Sequence, residues 1–567
     1  MGFAHCIRPP PLGGRTIATR RGHWTPTLAA CGRSVFRGRL SLDVRPASAY
    51  TVRVIPLIQR LLLVCLVICS APSAISAGEP VVVNPLDQAE VILRVRDGRW
   101  VDREATRFAA AYGGDLAAVR SELARVLYRA NSFDGIDLGR PSLLAWRSGK
   151  APLLAAIPVG DRAKFLKAFG AVDPGEAPLV RTGERDGTVI YRQNQPGGEW
   201  EYRLLVAGNI AFLARSVEEC RQLATAIGTP SVDPFAPPLE LSLRAGGVVK
   251  PRLPGADWFG AMPALPMVGG EFAAVPGLLP GAWAAIAEQI TALSITAQSD
   301  AQGRLLLTAR LAAKPDSVLA TWISAQRPGT ERLAGQLRRP GTAMLVTGRI
   351  AFQGQLERWA FDQGEVLRTA AGARWSEAAD GAFRTLCTLI ERTGALAVAI
   401  ERSGNGVLQQ WVAEHPRSVE VVQSVAILAG ALRGEDPQVV KLGERPAFTL
   451  PSAKTVAGAS YCIAGDRHAV RVDDRGAQRG AVAAGEVLAR LDEPGSLDAA
   501  PSLINLWIDV ALAWNAPPPA EGTSAEPVII NGVLRPSGPA QLTAVAEVPL
   551  AALGRVLGRI NKTTKNE

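Results

Sequence analysis

Two histidines, three cysteines and a group of aspartates are the residues beyond position 77 whose types and spacing could do chemistry. His468 opens the run His468-Ala-Val-Arg-Val-Asp473, with Asp466 just before it and Asp474 just after it. Carboxylates around an imidazole could hold a metal ion or move protons. A zinc site needs three or four ligands, however, and His415 is the only other histidine in this part of the chain. There is no HExxH helix and no paired CxxC. Alternation instead puts His468 on one strand face with Val470 and Val472, where a histidine needs only a local hydrogen-bond partner. Asp473-Asp474-Arg475-Gly476 reads as a solvated turn.

Other chemistry leaves as little trace. No G-x-S-x-G elbow, phosphate-binding G-x-x-x-x-G-K-[ST] loop or calcium loop occurs, and Ser148-Gly149-Lys150 is a hairpin turn. Two carboxylates distant in sequence leave no local signature, so a paired-carboxylate hydrolase stays open as an alternative. Cys220 and Cys387 fall in helical patterns and Cys462 in a strand pattern, where buried thiols are expected. No catalytic, metal-binding or cofactor-binding residue is assigned, and no cofactor is expected.

The elements that would position such residues are hairpins followed by helices. Ser142–Arg147 and Pro152–Val159 read as paired strands, and Asp161 caps the helix that follows to Phe169. Hairpins at 179–192 and 200–214 lead to a helix opened by Ser216-Val-Glu-Glu219, a capping box. The same order recurs at 292–325, 395–432 and 528–560, and more weakly at 460–490. A strand at 89–95 and helices at 99–112 and 116–128 precede them. This pattern predicts an α+β fold of antiparallel, hairpin-built sheets with helices on one face, made of repeated ββα units.

Composition divides the chain further. Residues 1–53 are Arg-, Pro- and Gly-rich and read as a disordered, non-native leader arising from the gene model; a transit peptide is the alternative. Residues 54–77 read as a signal peptide: Arg60, the apolar run Leu61–Cys69, and a small-residue cleavage site ending at Ala77. Ile68 is not the small residue that a lipoprotein cysteine at Cys69 would want before it. Three domains are expected, at 78–230, 284–442 and 443–567, with a Pro/Gly-rich linker at 231–283, a break at 443–451 and a Pro-rich linker at 516–527. Apolar residues between Leu253 and Val268, punctuated by Pro and Gly, form a candidate docking loop for a protein or lipid.

The formal charge of +10 comes mostly from the first 77 residues, which hold ten Arg and one Asp. The remainder is near +1, with no cluster of basic residues for a phosphate backbone, so nucleic acid is excluded as a partner. No later segment is long and uncharged enough for a transmembrane helix.

The hairpin–helix succession behind a signal peptide resembles large exported bacterial proteins that carry tandem ββα units. That likeness is one of pattern and implies neither an activity nor a site residue. The sequence therefore predicts a noncatalytic exported protein, periplasmic or extracellular, with a binding or structural role in the cell envelope. An N-terminally anchored form is the alternative location. Its partner would be an envelope protein or an apolar ligand. The rival functions are the paired-carboxylate hydrolase and a carrier of a lipid or other apolar ligand, the latter requiring an enclosed apolar pocket.

Overall fold

The computed structural model describes residues 85–147, 153–170, 179–195, 198–227, 236–244, 288–329, 332–351, 364–389, 392–403, 406–451, 458–493, 501–517 and 527–566. The basic leader, the signal segment and the loop at 253–268 lie outside them. Among the described residues the fold is mixed α+β and mostly sheet, with twenty strands hydrogen-bonded into one sheet.

The first ten strands are β1 (Ala89–Val95), β2 (Ser142–Arg147), β3 (Leu153–Pro158), β4 (Val180–Arg185), β5 (Thr188–Gln195), β6 (Gly198–Ala207), β7 (Ile210–Ala214), β8 (Leu239–Arg244), β9 (Ile290–Ser299) and β10 (Leu305–Ala313). The second ten are β11 (Thr342–Arg349), β12 (Ala395–Ser403), β13 (Gly406–Glu414), β14 (Gln438–Leu442), β15 (Arg445–Leu450), β16 (Ala459–Ala464), β17 (His468–Arg475), β18 (Ile504–Asp509), β19 (Ile529–Gly538) and β20 (Gln541–Val548).

Every ladder is antiparallel. Outward from the centre, the first half runs β10-β9-β8-β1-β2-β3-β7-β6-β5-β4. The second runs β20-β19-β18-β11-β12-β13-β17-β16-β15-β14. Adding ten to each strand number of the first series yields the second. The halves meet at the β10–β20 ladder, from Leu305 opposite Val548 to Ala312 opposite Gln541.

Helices fall at matching places. α1 (Gly98–Tyr112) and α2 (Leu116–Tyr128) lie between β1 and β2, α3 (Arg162–Ala168) follows β3, α4 (Val217–Ile227) follows β7, and α5 (Val318–Ala325) follows β10. After the short α6 (Leu333–Leu337), α7 (364–371) and α8 (Glu377–Leu389) lie between β11 and β12, and α9 (Ser418–Arg433) follows β13. α10 (Gly480–Leu491) follows β17, the short α11 (Val510–Ala513) follows β18, and α12 (Leu550–Asn566) follows β20.

Local chemistry explains several boundaries. Asp97, Asp115 and Asp161 each accept a backbone N–H from the first turn of α1, α2 and α3, satisfying donors that the helix leaves over. At α4, Ser216 Oγ accepts the Glu219 N–H while the Glu219 carboxylate reaches back to the Arg215 N–H.

The helices cover both faces of the sheet, which corrects the expectation of one. In β3, Leu153, Ala155 and Ile157 join the core under α1, α2 and α3, whereas Leu154 and Ala156 join Cys220 and Leu223 of α4 on the other side. Burial on both sides is why β3 reads as an unbroken apolar run instead of alternating. In the second half α10 packs on Ile463, Val470 and Val472, and α9 packs opposite on Cys462 and Ala469.

Two segments expected to be linkers contain strands. β8 lies within 231–283 and pairs with both β1 and β9. Pro238, in the Pro237-Pro238 pair, ends that stretch of loop by offering its carbonyl to the Arg96 N–H at 2.7 Å. β15 occupies the break at 443–451, where Gly443 supplies the positive φ of 64° that the β14–β15 turn requires.

The two halves exchange their last helices across the centre. α12 lies on α1 of the first half, with Leu553, Val556 and Leu557 packed around Phe108 and Leu307. Gly554 and Gly558 permit the approach: a Cβ at Gly558 would stand 2.4 Å from the Tyr112 carbonyl oxygen. α5 in turn packs Ile323 and Trp322 against Leu503, Leu534 and Leu542 of the second half. Each half thus closes part of the other's core.

Candidate functional site

The residues that looked chemically most suggestive have structural roles. His415 is buried with Nε2 3.1 Å from the Leu389 carbonyl, while its Nδ1 accepts the Arg417 N–H at 2.9 Å. Those partners suit the tautomer with its proton on Nε2 and join the end of α8 to the start of α9. His468 opens β17 opposite Glu414. Burial lowers its pKa below the ordinary value of 6.5, outweighing the nearby Glu414 and Asp492 carboxylates, which raise it.

Because the folded pKa of His468 is depressed, the contribution of its neutral form is present above pH 6.5 and fades as pH falls through the lowered value. His468→Gln is therefore expected to flatten the loss of stability between neutral pH and about pH 5. Urea midpoints at the two pH values check this; equal losses in both proteins would contradict it.

Asp473 and Asp474 are buried, which corrects the reading of a solvated turn. β17 continues through Arg475, so the two side chains leave opposite faces of a strand. Asp474 accepts the backbone N–H groups of Ala477, Gln478, Arg479 and Gly480 and so orders the turn into α10. Asp473 accepts from Arg471 Nε at 2.8 Å and from the Ser460 hydroxyl, with Arg433 Nη2 at 3.9 Å. The three cysteines are buried thiols, and burial pushes the Cys220 thiol up to about 12. Among the described residues no group of three His, Cys, Asp or Glu side chains could hold a metal ion. No helix among them is long and apolar enough to cross a membrane.

What the elements do form is a partly open apolar cavity of about 170 Å³ between the sheet of the first half and α12, beside the central ladder. Leu93 of β1, Leu241 of β8, Ala297 of β9 and Leu307 of β10 contribute to its sheet side. Val101 and Ala105 of α1, Leu123 of α2, and Leu553 and Leu557 of α12 contribute to its helix side. The exchanged helix α12 is therefore one of its walls. Trp100 holds α1 over β9 by donating Nε1–H to Ser299 Oγ at 3.0 Å.

Among the described residues that line this space, one is charged. Glu104 is 7 % exposed, and its Oε1 accepts from Arg107 Nη1 at 3.0 Å. Its Oε2 is buried without a hydrogen-bond partner. A buried acceptor left unsatisfied costs about 1–3 kcal/mol, and more when charged, so this position works against stability. The helical pattern carried the signal: Glu104 lies three residues after Val101 and four before Phe108, on the apolar face of α1. Glu104 belongs to no motif, being a single Glu in a helix whose other buried residues are Gly98, Val101, Ala105, Phe108 and Ala109.

No family model, curated protein or solved structure matches the chain.

Proposed function

We propose that this is a noncatalytic exported protein that carries a small apolar ligand in the cavity bounded by α1, α2 and α12. The observation that carries the reading is the cavity itself. Close-packed interiors leave few voids larger than a water molecule, and a dry apolar cavity of about 150 Å³ is enough to bind benzene or xenon. The basic and apolar run from Arg60 to Cys69 supports export, with the periplasm or cell envelope as the destination.

The architecture we propose behind this function is a duplicated half, each copy holding three ββα units. Matching strand orders and matching helix positions support it: β2-β3-α3, β6-β7-α4 and β9-β10-α5 correspond to β12-β13-α9, β16-β17-α10 and β19-β20-α12. Copying a half and exchanging its last helix creates a seam, and the cavity lies where that helix meets the first half.

The hydrolase reading draws no support from the buried acids among the described residues, each of which has its own setting. Asp473 faces arginines, Asp474 and Asp509 cap backbone amides, and Glu104 faces the cavity.

Filling the space tests the carrier reading. Ala105→Phe is expected to abolish binding of ethylbenzene while leaving the protein folded, with stability changed by no more than about 2 kcal/mol, as cavity-filling substitutions do. Calorimetric titration of wild type and variant checks it; wild type should also show the negative heat-capacity change of apolar burial. Absence of ethylbenzene binding by the wild-type protein would overturn the reading.

A further inference from the structure

We infer that the cavity is a slot for one unbranched alkyl or acyl chain whose polar end stays in water. This inference rests on the carrier reading and names the class of ligand, a single-chain amphiphile. Leu93, Leu241, Ile295, Leu307 and Val548 line the floor, and they stand on β1, β8, β9, β10 and β20, five consecutive neighbours in the sheet. Strands lie about 4.8 Å apart, so a floor that reaches from β1 to β20 is about 19 Å long. A rounded space of about 170 Å³ would be only about 7 Å across and would meet two or three strands. The cavity is therefore long and narrow.

One side of each strand faces it. Leu93 stands opposite Leu241 and Leu241 opposite Ile295, while Ala297 stands opposite Leu307 and Leu305 opposite Val548. These rows step along the strands as they cross them, so the slot runs diagonally to the ladders. The roof takes about two turns of each of α1 and α12, from Trp100 to Phe108 and from Leu550 to Leu557.

The place of the polar end follows from the polar residues of the wall. Trp100 Nε1 donates to Ser299 Oγ, the Thr296 hydroxyl donates to the Thr308 carbonyl, and Glu104 accepts from Arg107 through Oε1 while its Oε2 is buried. Among the described residues the wall thus offers nothing to a hydroxyl, carboxylate or phosphate, and a polar group drawn inside would lose its water without replacement. The cavity is partly open, which leaves the polar end an exit to water.

Calorimetric titration of the wild-type protein with hexanol, octanol, decanol, adamantanol and ethylbenzene tests the shape. Decanol and adamantanol share a carbon count, but one is a chain and the other a compact cage. Affinity is expected to rise about fourfold for each CH2 added from hexanol to decanol, the gain of burying a methylene, and decanol should bind at least about tenfold more tightly than adamantanol. Val548→Phe fills the β20 end of the slot and should bring decanol down to the affinity of hexanol. Should Val548→Phe fail to fold, Leu93→Phe closes the β1 end to the same effect.

A flat series, or adamantanol ahead of decanol, would overturn the chain inference, and ethylbenzene binding in the same titrations would keep the carrier reading. Undiminished decanol binding in the end-filled variant would also overturn the chain inference. Failure of all five probes to bind would overturn the inference and the carrier reading together.

Discussion

Asp473→Ala is expected to destabilise the protein by about 3–5 kcal/mol, the usual consequence of removing one member of a buried ion pair. Arg471 and Arg433 both point at Asp473, with Arg433 held among the Ser460 hydroxyl and the carbonyls of Pro451 and Gly458. The side chains of Arg433, Arg471 and Asp473 are 1 %, 7 % and 6 % exposed. Deleting the carboxylate takes a buried counter-charge away from two guanidinium groups held between α9 and the β16–β17 pair. Asp473→Asn should cost less, because its amide oxygen still accepts from Arg471. Urea unfolding of the three proteins measures this, and an Asp473→Ala loss below about 1 kcal/mol would place the group in solvent, where ion pairs contribute little.

The second large effect is expected at Gly558. Leucine there would drive a side chain into the Tyr112 carbonyl, and the backbones of α1 and α12 would have to separate. Overpacking of this kind costs about 1–3 kcal/mol, and more where the obstacle is backbone. The particular consequence is functional, since α12 supplies Leu553 and Leu557 to the cavity. Gly558→Leu should therefore lose both stability and ethylbenzene binding, whereas leucine at Lys562, an exposed position of the same helix, should change neither. Binding that survives in Gly558→Leu would mean that α12 is not a wall of the site.

Much of the fold was legible before the structure because its elements are local. The strand at 89–95 and the helix at 116–128 were recognisable end for end, since apolar spacing defines them. Hairpins such as β12–β13 and β19–β20 were visible from short turns between apolar runs. What escaped the sequence were strands flanked by Pro and Gly, one of them, β8, with the distant partner β1. β8 and β15 sit beside Pro and Gly and read as linkers, yet β8 is sandwiched between β1 and β9, and β15 between β14 and β16.

The correspondence between halves was hidden for a related reason. It resides in which strands pair across more than a hundred residues, as β10 does with β20, and no local pattern records that. Asp473 and Asp474 were misread because charged residues at the end of a strand resemble a turn until the packing of α9 and α10 on both sides of β17 is known. Glu104 could have been found: a lone carboxylate on the apolar face of an amphipathic helix is a visible exception.

We propose the space between α1, α2 and α12 as a ligand-accepting apolar cavity. A crystal structure under xenon pressure tests it most directly, because xenon reports apolar volume without needing a donor or a charge. A xenon atom is expected among Leu93, Val101, Leu307 and Leu553. A xenon-free site in which these side chains close on one another would contradict it.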